Sequence, residues 1–272
     1  MASEDLNWSA IDSILVMASA ASSLRASNGN DRFNAEAAAW DSNPFVHAMS
    51  DKAYQALCTN VPQLNNSEHG LDVLEIGCGT GLLSFLVAKK AREVVAVDAA
   101  QGMIDVLAQK IAKAGSKNIV PVCVLLEDPE DAALPPGDLA DSRGPRRKYD
   151  LVISHLVLHH IPDLKPVLQT MLGCLKPGGM IGLTDFEDFG PEARRFHPKR
   201  KMAGVERHGI NAETFAELMR EVGFVDVDVK VAWQHEKRVE RWEGEFDEPG
   251  RDSEKGEMMN FSYLLCMGRK PS

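Results

Sequence analysis

Val73-Leu74-Glu75-Ile76-Gly77-Cys78-Gly79-Thr80-Gly81-Leu82 is the stretch that decides the fold. Its first four residues form a short apolar run typical of a buried strand, and a helical pattern follows Gly81. Glycines at alternate positions let the backbone turn sharply and approach a ligand that any Cβ would displace. A dinucleotide fingerprint would need its third glycine at position 82, where leucine stands. The stretch therefore predicts a strand, a ligand-binding loop and a helix, for a ligand other than a dinucleotide.

From about Leu71 onward, short apolar runs alternate with helical patterns, which is typical of a parallel sheet with helices on both faces. The predicted strands are Val73–Ile76, Val94–Val97, Ile119–Leu126, Leu151–Ile153, Met180–Thr184, Val225–Trp233 and Phe261–Met267. The predicted helices of this series are Gly81–Ala91, Met103–Ala114, Leu164–Leu175 and Asn211–Val222. Residues 129–148 and 243–257 are rich in turn residues or acidic residues, so we expect irregular surface segments, the second of them mobile.

The composition limits the class of protein. A formal net charge of −10 repels phosphate backbones, which argues against nucleic acid as a partner. The five cysteines are an odd number without a C-x-x-C pair, which favours a reducing compartment over a disulfide framework. The apolar stretch Ile11 to Ala21 follows acidic residues and is too short to cross a bilayer, so we interpret it as an amphipathic helix of a cytoplasmic protein with no membrane partner. The oligomeric state stays open.

Acidic residues follow three of the predicted strands. Glu75 adds a charge near the first strand end, where a cationic ligand amine could sit. Asp98 closes the second strand about 20 residues beyond Gly77, as expected for a carboxylate that accepts both ribose hydroxyl protons. Glu127 and Asp128 follow the third strand, where a carboxylate can receive the exocyclic amine of adenine. Together they predict a pocket for a positively charged adenosyl group.

Four motifs together resemble those of class I S-adenosylmethionine-dependent methyltransferases, and the resemblance covers residues 71–185 most closely. They are Leu74 to Gly81, Asp98 with Met103, Tyr149-Asp150-Leu151-Val152 and Leu175-Lys176-Pro177-Gly178-Gly179. The resemblance implies an α/β Rossmann-like three-layer sandwich whose seven-stranded, mostly parallel sheet ends in an antiparallel last strand. It also implies S-adenosyl-L-methionine as cofactor and S-adenosyl-L-homocysteine as product.

The resemblance further implies roles for single residues around the cofactor. The methionine part of the cofactor contacts the loop of Gly77, Cys78, Gly79 and Gly81. The ribose is bound by Asp98 with the adjoining Ala99, while the adenine packs on Met103 and its amine is bound by Glu127 or Asp128. Ser154 and His155 lie beside the sulfonium. We expect residues 1–54 to form a helical N-terminal lid or cap and residues 55–272 to form the methyltransferase domain. Trp40 is a candidate to cover the bound cofactor or to line the substrate site. His208, which precedes the last helix, is a candidate to line the substrate site.

The chemistry is expected where strands four and five end, because ligands of open α/β sheets bind there. Strand four runs into Ser154-His155-Leu156-Val157-Leu158-His159-His160-Ile161-Pro162-Asp163, and strand five into Thr184-Asp185-Phe186-Glu187. These stretches are similar to those of small-molecule O-methyltransferases, both the ubiquinone/menaquinone type and those of natural products. We predict that His159 or His160, supported by Asp185, deprotonates an acceptor hydroxyl. Alternatively neither is catalytic, one capping the turn and the other packing in the core.

A metal site is not predicted. Adjacent residues such as His159 and His160 should diverge around a helix, and no third ligand stands near them in the sequence. Ser154 stands where metal-dependent catechol enzymes have an aspartate, so no complete magnesium site is visible. The basic run from His197 to Lys201 is interpreted as a solvated loop.

The acceptor is expected to be a small molecule, with O-methylation favoured and nitrogen, sulfur and carbon acceptors open. A protein or peptide methyltransferase is an alternative, in which the acidic segments 127–131 and 243–257 would recruit a basic tail. A cofactor-binding protein that transfers no methyl group is another, because complete cofactor motifs fit it equally well.

Overall fold

The computed structural model describes residues 30–66, 70–248 and 255–272. Its centre is one seven-stranded sheet, with the strands β1 (Asp72–Ile76), β2 (Glu93–Asp98), β3 (Ile119–Cys123), β4 (Tyr149–His155), β5 (Leu175–Phe186), β6 (Val225–Val239) and β7 (Glu257–Arg269). Their order across the sheet is β3-β2-β1-β4-β5-β7-β6. Strands β1 to β5 pair in parallel, and β7 runs antiparallel to both β5 and β6. The predicted fold class and the reversed last strand are confirmed.

Helices cover both faces of the sheet and complete three layers. They are α1 (residues 30–40), α2 (Pro44–Asn60), α3 (Pro62–Asn66), α4 (Leu82–Val87), α5 (Gln101–Ala114), α6 (Leu164–Cys174) and α7 (Ala212–Val222). Apolar side chains of α2, α4 and α5 pack on one face, and those of α6 and α7 pack on the other. Four short 3-10 turns lie at Leu158–His160, Pro191–Phe196, Lys199–Lys201 and Glu245–Asp247.

Helix ends lie where the capping residues predict them. Helix α5 ends at Gly115, whose backbone is left-handed with φ 64°. Helix α7 begins after Asn211, whose side chain accepts a hydrogen bond from the backbone N–H of Thr214 at 3.1 Å, and it ends at Gly223. Helix α4 is shorter than predicted, because its last turns become irregular after Val87.

The last two strands are longer than predicted. Beyond Trp233, β6 continues to pair with β7 residue by residue as far as Val239. Exposed polar residues such as Gln234 and Glu236 alternate through this extension, so it lacks the apolar run by which a buried strand is recognised.

The connection between β6 and β7 is packed where it is described. Glu245 is fully buried and accepts hydrogen bonds from the side chain and the backbone of Arg241. Phe246 is buried beside it, and its backbone N–H donates to Glu240 at 3.1 Å. The prediction of a mobile segment is therefore wrong for residues 243–248, and residues 249–254 lie outside the described chain.

The N-terminal region joins the domain through α2. The predicted boundary after residue 54 falls inside this helix, whose Ala53 and Leu57 pack in the core beside β1. The amphipathic helix predicted at residues 11–21 lies outside the described residues. Among the described helices, none combines the length and apolarity that a membrane crossing requires. All five cysteines are free thiols.

Candidate active site

Glycines shape the loop after β1. Gly79 has a left-handed backbone with φ 53°, and a Cβ there would meet no atom within 4 Å, so the loop faces open space at this point. A Cβ on Gly77 would lie 2.4 Å from Cγ2 of Val157. The absent side chains thus leave a cradle in front of Gly79 and let the segment after β4 pack directly against the loop.

The carboxylate of Asp98 lies at one side of this cradle. Its Oδ2 accepts a hydrogen bond from the backbone N–H of Gly79, and its Oδ1 accepts one from Ala100, both at 2.8 Å. Burial raises the pKa of Asp98, and these backbone N–H groups oppose that rise. A carboxylate offers about four acceptor positions, and the backbone N–H groups do not fill all of them, so acceptor capacity remains for a hydroxyl donor. This geometry fits the ribose role of Asp98, with Ala99 adjoining.

Glu75 lies behind the loop rather than at its open side. It shares a face of β1 with Val73, which packs towards α4, and its carboxyl accepts a hydrogen bond from the Ser84 hydroxyl of that helix. Glu75 is only 1% exposed, and burial raises its pKa to about 8, with a further contribution from the Asp98 charge. The expectation that Glu75 meets a ligand amine directly is therefore not met. Cys78 is likewise buried.

Helix α1 lies against the glycine loop and against helix α5. Asp41, just after this helix, accepts hydrogen bonds from the Thr80 hydroxyl at 2.5 Å and from Lys110 Nζ at 2.6 Å. The Asn34 side chain accepts a hydrogen bond from the backbone N–H of Gly102 at 2.7 Å. We call this set of contacts the Asp41 clamp. It ties the described part of the N-terminal region to the glycine loop and to the start of α5.

Two predicted residues lie beneath α1. Met103 is 1% exposed and packs with Ala37 and Ala100. An adenine ring that packs on Met103 would take the place of part of these contacts. Trp40 packs against the same cluster, with its ring centroid 6.0 Å from that of Phe33. Trp40 therefore lies beside Met103, where it fits the expected cover of the cofactor rather than the substrate lining.

Glu127 and Asp128 do not end a strand, because β3 stops at Cys123. Both side chains are exposed, and the Asp128 carboxylate caps a turn by accepting a hydrogen bond from the backbone N–H of Glu130 at 2.8 Å. In the described chain, neither carboxylate is hydrogen-bonded to the glycine loop. Their proposed contact with adenine is not preformed in this structure.

Ser154 and His155 end β4. The Ser154 hydroxyl is buried and donates to the backbone carbonyl of Ile76 at 2.7 Å, so it ties β4 to the end of β1. His155 Nδ1 lies 2.8 Å from the Thr184 hydroxyl, while its buried Nε2 has no hydrogen-bond partner among the described residues. Burial lowers the pKa of His155 to about 4, so the ring is neutral at pH 7. This nitrogen lies near β1, the strand that leads into the glycine loop, and it is suited to form a hydrogen bond with a ligand.

The chain then turns sharply. Leu156 has a left-handed backbone with φ 56°, a rare conformation for a bulky residue, and its N–H donates to the carbonyl of Thr184 at 2.8 Å. The 3-10 turn Leu158–His160 follows directly.

His159 and Asp185 form a buried pair at the carboxyl ends of β4 and β5. His159 is 2% exposed and Asp185 is fully buried. His159 Nδ1 lies 2.8 Å from Asp185 Oδ1, and because an ionised carboxylate can only accept, the ring nitrogen must carry the proton. The neutral ring then has its acceptor lone pair on Nε2. The structure thus brings together the predicted base and its predicted support.

His160 and His197 lie beside this pair. The ring centroids of His159 and His160 are 4.0 Å apart, and the His197 ring lies 5.1 Å from His159. Burial lowers the pKa of both flanking rings, to about 4 for His160 and further for His197. Two premises against a metal were therefore wrong: the adjacent histidines do not diverge, and a third one is near. The interpretation of 197–201 as a solvated loop is wrong at His197.

Two neighbours of this cluster could not be identified from the sequence pattern. His197 arrives from the segment after β5, about 40 residues from His159 in the chain. Lys237 reaches in from β6, donates to the carbonyl of Phe196 at 2.5 Å and lies 3.7 Å from that ring's centroid. Burial lowers the pKa of Lys237 to about 7. His208, predicted at the substrate, has a buried Nδ1 that makes no hydrogen bond to any residue that the structure describes.

The chain is similar to known methyltransferases in sequence and in fold. Residues 74–181 match the model of the methyltransferase domain family. The ubiquinone biosynthesis O-methyltransferase of Bordetella avium is 30% identical over 157 residues, which are 56% of this chain and 57% of the relative. The nocamycin O-methyltransferase of Saccharothrix syringae is 32% identical over 182 residues, 58% and 60% of the two chains. The chain thus spans less than two thirds of these curated relatives.

Among solved structures, phosphoethanolamine N-methyltransferase 2 of Haemonchus contortus, in complex with S-adenosyl-L-methionine, shares the fold. It superposes with a TM-score of 0.53 at 17% identity, covering 80% of this chain and 52% of that one. At this identity the likeness supports the architecture alone.

Proposed function

We propose that this chain, whose residues 74–181 match the methyltransferase domain family, transfers a methyl group from S-adenosylmethionine to a hydroxyl of a small molecule. The cofactor supplies a methyl group that its sulfonium already activates. The protein's part is therefore to align the two substrates, exclude water and remove the acceptor proton.

The cradle supports the choice of cofactor. The open space in front of Gly79 lies beside the Asp98 carboxylate, which retains free acceptor positions for the ribose hydroxyls. The Asp98 carboxylate beside the cradle suits a cationic sulfonium better than a pyrophosphate. Helix α1, held by the Asp41 clamp, is placed to cover the bound cofactor and keep water away. In this proposal residues 30–41 act as the described part of a lid.

The buried pair of His159 and Asp185 is the observation that carries the proposal of O-methylation. An alcohol or phenol arrives protonated and becomes a good nucleophile when a positioned base takes its proton. His159 Nε2 has the free lone pair for this step, because Asp185 holds the Nδ1 proton. His159 also lies two residues after Val157, whose side chain contacts the space at Gly77. The base thus belongs to the segment that packs on the cofactor loop. This pair favours His159 over His160, whose Nδ1 bonds the carbonyl of Gly204 instead.

The alternative of a basic peptide acceptor has less support. Glu130, in one of the acidic segments expected to recruit it, is engaged by Lys148 and by the backbone N–H of Arg146. Asp128 and Asp131 each accept from the backbone two residues on. Each of these carboxylates therefore already has a structural contact within the chain.

Two measurements test the proposal. Calorimetry on the folded chain should detect binding of S-adenosylhomocysteine, and its absence would remove the cofactor assignment. S-adenosylhomocysteine release should then be measured with separate pools of phenols and alcohols, amines, thiols and a lysine-rich peptide. We expect turnover with the hydroxyl pool. Turnover with the peptide alone would favour the protein methyltransferase, and cofactor binding without any turnover would favour a non-transferring protein.

A further inference from the structure

Three histidine rings from two separate segments meet beyond the end of β4. The rings of His159 and His160 lie with centroids 4.0 Å apart, and that of His197 lies 5.1 Å and 6.1 Å from them. One ring nitrogen of each lies within 4.8 Å of those of the other two. Zinc binds imidazole nitrogen at about 2.0–2.1 Å, which sets ligand nitrogens about 3.4 Å apart. Side-chain shifts of about 1 Å or less would bring these nitrogens around one ion.

Two of the rings already have the second partner that metal-binding histidines usually have. His159 Nδ1 is bonded to the Asp185 carboxylate at 2.8 Å, and His160 Nδ1 to the backbone carbonyl of Gly204 at 2.7 Å. Such a carboxylate or carbonyl orients the ring and leaves Nε2 for the metal. In the parts of the chain that the structure describes, no hydrogen bond occupies Nε2 of either ring.

The third ring lacks a partner that it should have. His197 Nδ1 is buried and makes no hydrogen bond within the described residues. A buried polar atom without a partner costs free energy, so such atoms are rare unless a water or an ion satisfies them. A metal ion shared with His159 and His160 would satisfy this requirement for His197.

Charged groups of both signs lie near the cluster. Arg32 is engaged by Glu36 and by the carbonyls of Lys201 and Ala203. Lys237 is engaged by the carbonyl and the ring of Phe196. The buried Asp185 carboxylate contributes a negative charge directly behind His159.

We propose that His159, His160 and His197 bind one Zn²⁺ ion. Three imidazole ligands suit zinc among the common biological metals, and they leave a fourth coordination position for water or another oxygen ligand. Zinc on Nε2 of His159 occupies the lone pair that proton removal from the acceptor requires. The zinc-bound chain and the chain with a free base are therefore two exclusive states of this cluster.

The test measures metal binding without methyl donor or acceptor, so its outcome does not depend on the proposed methyl transfer. Untagged, metal-free protein is dialysed against graded Zn²⁺, and bound metal per chain is determined. We expect one zinc per wild-type chain and an affinity at least about tenfold lower in His197→Ala. The matched control is His47→Ala, because His47 is an exposed histidine on α2 outside the cluster. It should bind zinc as the wild type does.

Failure of the wild type to retain zinc, or equal affinity in wild type and His197→Ala, would overturn the proposal. Thermal unfolding of the metal-free variants shows whether they are folded. If His197→Ala is not folded, His160→Ala replaces it, with the same expected loss. Co²⁺ in place of Zn²⁺ should give the intense visible absorption of a four-coordinate site in the wild type, and the weak spectrum of hydrated cobalt would count against it.

Discussion

His159 is joined to Asp185 twice, through its ring and through its backbone. The ring Nδ1 lies 2.8 Å from Oδ1, and the backbone N–H donates to Oδ2 at 3.1 Å. The carboxylate is held in turn by the backbone N–H of Phe186 at 2.9 Å. The ring therefore has one tautomer and one orientation before any substrate arrives.

This pairing predicts how turnover responds to its loss. His159→Ala removes the base, and Asp185→Asn lets the ring adopt the other tautomer, so kcat for a hydroxyl acceptor should fall by about a hundredfold or more in each. Affinity for S-adenosylhomocysteine should stay within about twofold, because neither group belongs to the cradle. Single-turnover rates and calorimetry measure the two effects. Asp51→Ala, on the exposed side of α2, is the control, and unchanged rates in both site variants would exclude His159 as the base.

A pair of glycines separates backbone strain from ligand contact. Gly79 and Gly115 have φ values of 53° and 64°, and a Cβ would meet nothing within 4 Å at either. Alanine at each position should therefore cost a similar 1–2 kcal/mol or so of strain. Gly79→Ala should in addition weaken S-adenosylhomocysteine binding by about tenfold or more, since the methyl group enters the cradle. Gly115→Ala, at the far end of α5, should bind normally. Equal affinities would show that the ligand does not approach Gly79.

The buried carboxyl of Glu75 predicts a pH dependence of stability. Its pKa is raised from 4.5 to about 8 by burial. Between these values the folded chain keeps a proton that the unfolded chain has lost, so stability falls as pH rises, and above about 8 the full penalty is present. Glu75→Gln has no such slope. The Tm of Glu75→Gln minus that of the wild type should grow by roughly 5 °C or more from pH 5 to pH 8.5. A constant difference would mean that Glu75 is ionised throughout.

The Asp41 clamp predicts the kinetics of cofactor exchange. Asp41→Ala removes the acceptor of both Thr80 and Lys110, so the lid should open more often. Loss of two polar contacts should raise the dissociation rate of S-adenosylhomocysteine by about tenfold. Stopped-flow displacement measures this rate. Asp51→Ala, on the exposed side of α2, serves as the control. Identical rates in the two variants would show that residues 30–41 do not cover the ligand.

Much of the fold could be predicted because its signals are local. A strand that is buried on both faces leaves an apolar run, as in Val94–Val97, and a helix that needs a left-handed cap leaves a glycine, as at Gly115. The loop of Gly77 to Gly81 and the carboxylate of Asp98 were predicted for the same reason, since each follows directly from a strand end.

The rest depended on contacts between distant segments. The contact predicted between Glu75 and a ligand amine follows from its place near the glycine loop, and the sequence does not show that the Ser84 hydroxyl donates to its carboxyl instead. The sequence predicts that Glu127 follows the end of the third strand, but the pairing of β3 with β2 stops at the pair of Cys123 and Asp98. The third histidine and the Asp41 clamp were missed because their partners lie about 40 to 70 residues away, where residue spacing carries no information.

Leu156 finally limits how this protein can be engineered for heat resistance. Its left-handed backbone costs about 1 kcal/mol that glycine would relieve, although glycine would also add disorder to the unfolded chain. The same bend sets the direction in which the chain leaves β4 towards His159 and His160. A Leu156→Gly variant would therefore hold the imidazoles of His159 and His160 in a less defined orientation. Thermostabilising substitutions are better sought at other positions.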